Sequence, residues 1–81
     1  MSRTLHSARH KALVGMLVEF RQDAGLTQAQ LARRLGQYQS FVARVESGQR
    51  RVDLVEFLSL AEAIGFDPKL AIKRLASVKS R

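Results

Sequence analysis

The side chains best suited to chemistry lie between residues 39 and 47. Val42 and Val45 form an apolar pair at i, i+3, while Gln39, Ser40, Ala43, Arg44 and Ser47 fall largely on the other side of the same short helical segment. A glutamine can bond adenine at two points in the major groove, an arginine can do the same with guanine, and a serine can act as donor or acceptor. A short helix showing Gln, Ser and Arg to water is therefore equipped to read base edges.

Covalent catalysis has much less support. Ser40 and Ser47 have no histidine near them in sequence, and a serine near a helix start usually serves as a cap or polar contact. There is no cysteine, P-loop, dinucleotide glycine fingerprint or histidine beside a carboxylate pair. The expectation is that the chain is not an enzyme and needs no cofactor. His6 and His10 have the i, i+4 spacing of a helical metal site, yet no third ligand accompanies them. They read as two solvent-exposed histidines, and no metal is expected.

The segment that positions Gln39, Ser40 and Arg44 runs from Leu26 to Ser47. Thr27 and Gln30 form a capping box, with Leu26 and Leu31 as its hydrophobic staple. Leu31, Ala32 and Leu35 make an inward stripe, and Gly36 suits the left-handed conformation that ends a helix sharply. The pattern predicts a helix of about two turns, a tight turn and a second short helix. Together these form a helix-turn-helix over 27–47.

Residues 17–66 resemble the helix-turn-helix domain of the phage repressor and Cro superfamily, the XRE family. The resemblance is carried by Arg21, GLTQ at 25–28, LA at 31–32, LG at 35–36, QS at 39–40, VES at 45–47 with Gly48, and LAEAIG at 60–65. It implies an all-α, five-helix, lambda-repressor-like fold and duplex DNA as partner. In such proteins the second helix of the motif enters the major groove while the first lies across the backbone. Gln39, Ser40 and Arg44 are then the expected base contacts.

The resemblance assigns further roles. Arg21 and Glu46 are expected to form a partly buried ion pair across the domain, whereas the bland alternative is two solvated charges. Gln28 is placed beside a phosphate and against Gln39. Arg50 and Arg51, in the GQRR loop at 48–51, are expected to meet phosphates, against the plainer account of a solvated basic turn. Phe41 departs from the small polar residue often found at its position. It either presses on a thymine methyl as a base contact or packs back on Tyr38 or the first helix of the motif. Tyr38 also departs from the pattern, because the turn lacks the usual Thr or Ser cap.

Length and composition agree. Eighty-one residues suffice for one domain, taken here as 1–81, with one modest core. A hydrophobic content of 46% suits a helical bundle better than a disordered tail. The absence of cysteine excludes disulfides and fits a reducing cytoplasm. No apolar run approaches the roughly 18 residues of a membrane span, and MSRTLHSARHK has no signal-peptide core. A cytoplasmic protein without a membrane partner is expected. Fourteen Lys and Arg against seven Asp and Glu give +7, which favours a polyanion.

The flanking elements are more ordinary. Residues 1–6 read as a flexible arm. Ser7 caps a helix with Leu13, Leu17, Phe20 and Ala24 inward, ended by Gly25. Asp53 and Glu56 form a second capping box, with Val52 and Phe57 as its staple, and Leu54, Phe57, Leu58, Ala61 and Ile64 are expected to close the core. Asp67 and Pro68 open a last helix over 68–78 whose Leu70, Ala71, Ile72, Leu75 and Val78 exceed what a monomer's end requires. That surplus suggests a homodimer. Its basic side chains, Lys69, Lys73, Arg74, Lys79 and Arg81, either touch a flanking backbone or solubilise the tail.

The expected function is a sequence-specific duplex-DNA-binding transcriptional regulator, most simply a repressor. An alternative keeps the fold but makes the main partner a protein, as in an antitoxin with its cognate toxin or an adaptor, with DNA binding for autoregulation. A restriction-modification controller is a further option, and an RNA-binding helical protein a third class.

Overall fold

In the computed structural model, residues 7–79 are described and form five helices with no strand among them: α1 Ala8–Asp23, α2 Gln28–Leu35, α3 Gln39–Glu46, α4 Leu54–Ile64 and α5 Pro68–Ala76. The expected arm over residues 1–6, with His6, lies outside the described residues, as does Arg81.

Local chemistry explains most helix starts. The Ser7, Thr27, Asp53 and Asp67 side chains accept backbone N–H bonds from His10, Gln30, Glu56 and Lys69 respectively. Both capping boxes are closed reciprocally, by Gln30 on the Thr27 N–H at 2.9 Å and by Glu56 on the Asp53 N–H at 3.1 Å. The stop between α2 and α3 depends on Gly36, whose φ of 69° and ψ of 30° are left-handed. A side chain there would bring its Cβ against the backbone.

The core gathers one stripe from each helix. Met16 and Leu17 of α1, Leu31 and Ala32 of α2, Phe41, Val42 and Val45 of α3, Phe57, Leu60 and Ile64 of α4, and Ala71 of α5 form one buried cluster. The α2 helix packs chiefly on α3 and then on α4, while α1 bridges α3 and α5. Phe66, just past α4, stacks on Phe20 with centroids 4.5 Å apart and meets Phe57 edge-on at 5.6 Å.

Several expected inward positions differ. Ala24 is exposed because α1 has already ended at Asp23 and the chain is turning into Gly25. In α4, Leu60 joins the core while Leu54 and Leu58 stand 64% and 43% exposed. Leu58 is one residue, roughly 100° of helix rotation, beyond Phe57, which carries it off the buried stripe. His10 is also corrected, because it is buried rather than solvent-exposed. Continuing the Leu13, Leu17 and Phe20 stripe back by three residues reaches position 10, so the helix period directs this imidazole inward.

The last helix stops two residues before the expected boundary at 78. It buries Ala71, half-buries Leu75 and leaves Leu70 and Ile72 open. Its end is gripped from the other end of the fold. The Arg9 guanidinium donates from Nε and Nη2 to the Val78 carbonyl at 3.2 and 2.8 Å, and from Nη2 to the Ala76 carbonyl at 3.4 Å. These carbonyls lack intrahelical donors, so a cation from α1 satisfies them.

Candidate nucleic-acid interface

The short α3 helix has a sealed side and an open one. Val42 and Val45 are each only 2% exposed, whereas Gln39, Ser40 and Arg44 are exposed. No hydrogen bond or ion pair within the described residues engages those three side chains. They project as one Gln, one Ser and one Arg over about two turns, with their donor and acceptor capacity unused.

Beneath this surface, α3 is anchored by a polar cluster. Arg21 of α1 donates from Nε to Glu46 Oε2 at 2.6 Å and from Nη2 to Glu46 Oε1 at 3.0 Å. Its Nη1 donates to the Leu26 carbonyl at 2.7 Å, in the link leading to α2. The two side chains are 12% and 8% exposed, so this pair is largely removed from water. A paired, multiply bonded geometry is what makes such burial tolerable.

Gln28 completes the cluster, donating from Nε2 to Glu46 Oε1 at 3.0 Å. The partner of its amide in the fold is therefore Glu46, which the sequence did not indicate. A carboxylate can only accept, so the amide nitrogen must face Glu46. One Gln28 amide hydrogen remains outside this bond. The polar cluster thus links α1, the approach to α2, α2 itself and α3.

The loop after α3 separates the two arginines expected on phosphate. Arg51 is exposed, with its side chain unbonded within the described residues. Arg50 is half-buried and paired, donating from Nη1 to Glu56 Oε1 at 2.8 Å and from Nη2 to Glu56 Oε2 at 2.7 Å. The same Nη1 reaches the Arg51 carbonyl at 2.7 Å. The phosphate role expected of Arg50 has a competitor here, because a bidentate carboxylate already holds its charge. Bonding to Glu56 raises the Arg50 pKa, and the bond from Arg50 holds the Glu56 carboxyl below its ordinary range.

Phe41 is also corrected as a base contact. Its side chain is 8% exposed and belongs to the core, and the Arg50 guanidinium carbon lies 4.8 Å from its ring centroid. Of the alternatives left open by the sequence, packing prevails, but Tyr38 is not its partner. Tyr38 stands 84% exposed. It occupies the α3 N-cap with φ −78° and ψ 153° and makes no side-chain capping bond. Sequence reasoning missed Glu56 as the Arg50 partner because its capping-box role already accounted for it.

Two short helices joined by a left-handed glycine turn, the second with a sealed apolar side and an open polar side, define the helix-turn-helix class. A helix-turn-helix domain family matches residues 1–71. Among solved structures, an XRE-family like protein from Pseudomonas syringae pv. tomato str. DC3000 is 43% identical, with 94% of this chain and 93% of that one covered and a TM-score of 0.85. The restriction-modification controller protein C.AhdI from Aeromonas hydrophila is 40% identical, covering 76% of this chain and 94% of that one, with a TM-score of 0.70. The clp gene regulator ClgR from C. glutamicum is 25% identical over 84% of this chain and 88% of that one, with a TM-score of 0.75. No curated protein matches the chain. The chain belongs to the XRE-type helix-turn-helix family of DNA-binding proteins.

Proposed function

We propose that this protein is a sequence-specific transcriptional repressor that inserts α3 into the major groove of duplex DNA and acts as a homodimer in the cytoplasm. The observation that carries this proposal is the unused polar side of α3. Gln39, Ser40 and Arg44 are exposed together on a helix whose other side is fixed in the core. Arg44 is suited to a guanine edge, Gln39 to an adenine edge, and Ser40 to either. Arg51 and the remaining Gln28 amide hydrogen contact phosphates, which fix register without selecting sequence.

Exposed apolar side chains on α4 and α5 support the dimer. Leu54 is 64% exposed, and Ile72 44%, at the mouth of a groove lined by Leu13, Val52, Phe57 and Leu75. A two-fold contact would cover this surface. It would set two α3 helices about 34 Å apart on one face of DNA. Control of transcription then works by occupancy of the site.

Selection of bound sequences from a random duplex pool, followed by titration of the recovered site against random duplex, tests the proposal. An inverted repeat bound at least a hundredfold more tightly than random DNA is expected. Equal affinity for the two would overturn it.

A further inference from the structure

We infer that Tyr38 is a specificity-determining residue whose exposed ring contacts the 5-methyl group of a thymine beside the bases met by Gln39 and Ser40. The inference rests on the proposal that α3 enters the major groove and adds a contact to it.

Two independent observations support it. Tyr38 is 84% exposed, more than Leu54, Val55, Leu58, Leu70 or Ile72. A large aromatic side chain left in water obtains none of the burial that makes its type useful in a fold. Moreover, Tyr38 gives α3 no side-chain cap, although Ser7, Thr27, Asp53 and Asp67 cap the other four helices. A Ser, Thr, Asp or Asn at an N-cap ordinarily stabilises a helix. Position 38 therefore carries a side chain that serves neither the core nor the cap.

Its location limits what the ring can meet. Tyr38 directly precedes Gln39 and Ser40 at the open end of α3, and Gln37, Gln39 and Ser40 are all exposed around it. Inserting α3 brings this end to the base edges. The apolar feature exposed on a base pair in the major groove is the thymine methyl, and the flat, weakly polar phenol ring complements it. Phe41 is sealed in the core, leaving Tyr38 as the aromatic at the motif's surface.

The test uses the duplex recovered by selection, with each thymine replaced singly by deoxyuridine, which lacks only the methyl group. Wild-type protein should lose about fourfold in affinity at one thymine per half-site, the effect of one apolar carbon removed from contact. Tyr38→Ala should bind the thymine and deoxyuridine duplexes equally at that position, while Tyr38→Phe should retain the wild-type ratio. Thermal unfolding should be alike for all three proteins, because the side chain is exposed.

A Tyr38→Ala ratio equal to wild type at every thymine overturns the inference, including where the variant instead loses a protein partner. Loss of the ratio in Tyr38→Phe overturns it too, by assigning the effect to the hydroxyl. If wild-type protein prefers its selected site and only the Tyr38 effect is missing, the groove-binding proposal stands. If wild type has no preference for any duplex, both fail together.

Discussion

The guanidinium of Arg50 lies over Phe41, its central carbon 4.8 Å from the ring centroid, while two of its nitrogens are bonded to Glu56. One cation thus joins the underside of α3, the following loop and the start of α4. Its neighbour Arg51 has no such partner and remains at the surface.

This division predicts different salt behaviour. Replacing Arg51 with Gln should weaken binding to specific and random duplex alike and reduce the slope of log affinity against log salt by about one unit. Replacing Arg50 with Gln should leave that slope unchanged and lower stability instead. Titrations at four or five salt concentrations, paired with denaturant unfolding, check both outcomes. A slope change of one unit for Arg50→Gln would return that residue to the phosphate contacts.

A pH effect follows from Glu56. Its carboxyl is held below the ordinary range first by the bond from Arg50, with the Asp53 N–H helping. A group whose folded pKa is depressed stabilises the fold when ionised. That contribution is full above the unfolded value, near 4 by ordinary carboxylate behaviour, and is lost as pH falls through the lower folded value. The stability difference between wild type and Glu56→Gln should therefore be constant from neutral pH down to about 5, then shrink with further acidification. Urea unfolding across pH 2.5–7 measures it, and a difference that grows in acid would contradict the assignment.

Breaking the cluster beneath α3 should be costly. Arg21→Ala would leave the Glu46 carboxylate, 8% exposed, with Gln28 as its remaining side-chain donor. Loss of one member of a buried pair typically destabilises by about 3–5 kcal/mol. Removing both charges as Arg21→Met with Glu46→Leu should cost less than the single change, because no stranded charge remains. Unfolding by guanidinium should show this order. A loss below about 0.5 kcal/mol for Arg21→Ala, the scale of ordinary surface substitutions, would mean that the pair contributes almost nothing.

The exposed side of α3 gives the complementary case. Arg44→Ala should leave unfolding within about 0.5 kcal/mol of wild type, since its side chain is exposed and has no partner among the described residues. It should cost about 1–3 kcal/mol on the selected site and relax preference at one base pair. Equal losses on selected and random duplex would instead make Arg44 a phosphate contact.

Much of the architecture was legible because local signals agree with the packing. The capping boxes at Thr27 and Asp53, the left-handed stop at Gly36 and the apolar spacing of Val42 and Val45 each identify a helix end or buried side without tertiary information. The exposed set on α3 follows from the same periodicity. What was hidden depends on partners distant in sequence or on extent of burial. Adjacent arginines at 50 and 51 look alike, and Glu56 is what pairs with one of them. The Phe41 environment was equally hidden, since an aromatic on a surface helix can face either way until α4 is placed. Position 10 is the opposite case: the helix period points it inward although a histidine's polarity points out, and the period prevails.

The clasp of Arg9 on the Ala76 and Val78 carbonyls has a mechanical consequence. It brings residues 76–78 beside the first turn of α1, so the described fold is a nearly closed ring whose seam is three bonds from one side chain. A short glycine-serine tether could join 79 to 7 without spanning the molecule, with fresh ends cut in the 48–53 connection. Force applied between residues 7 and 79 would load that seam before it reached the α2–α3 turn.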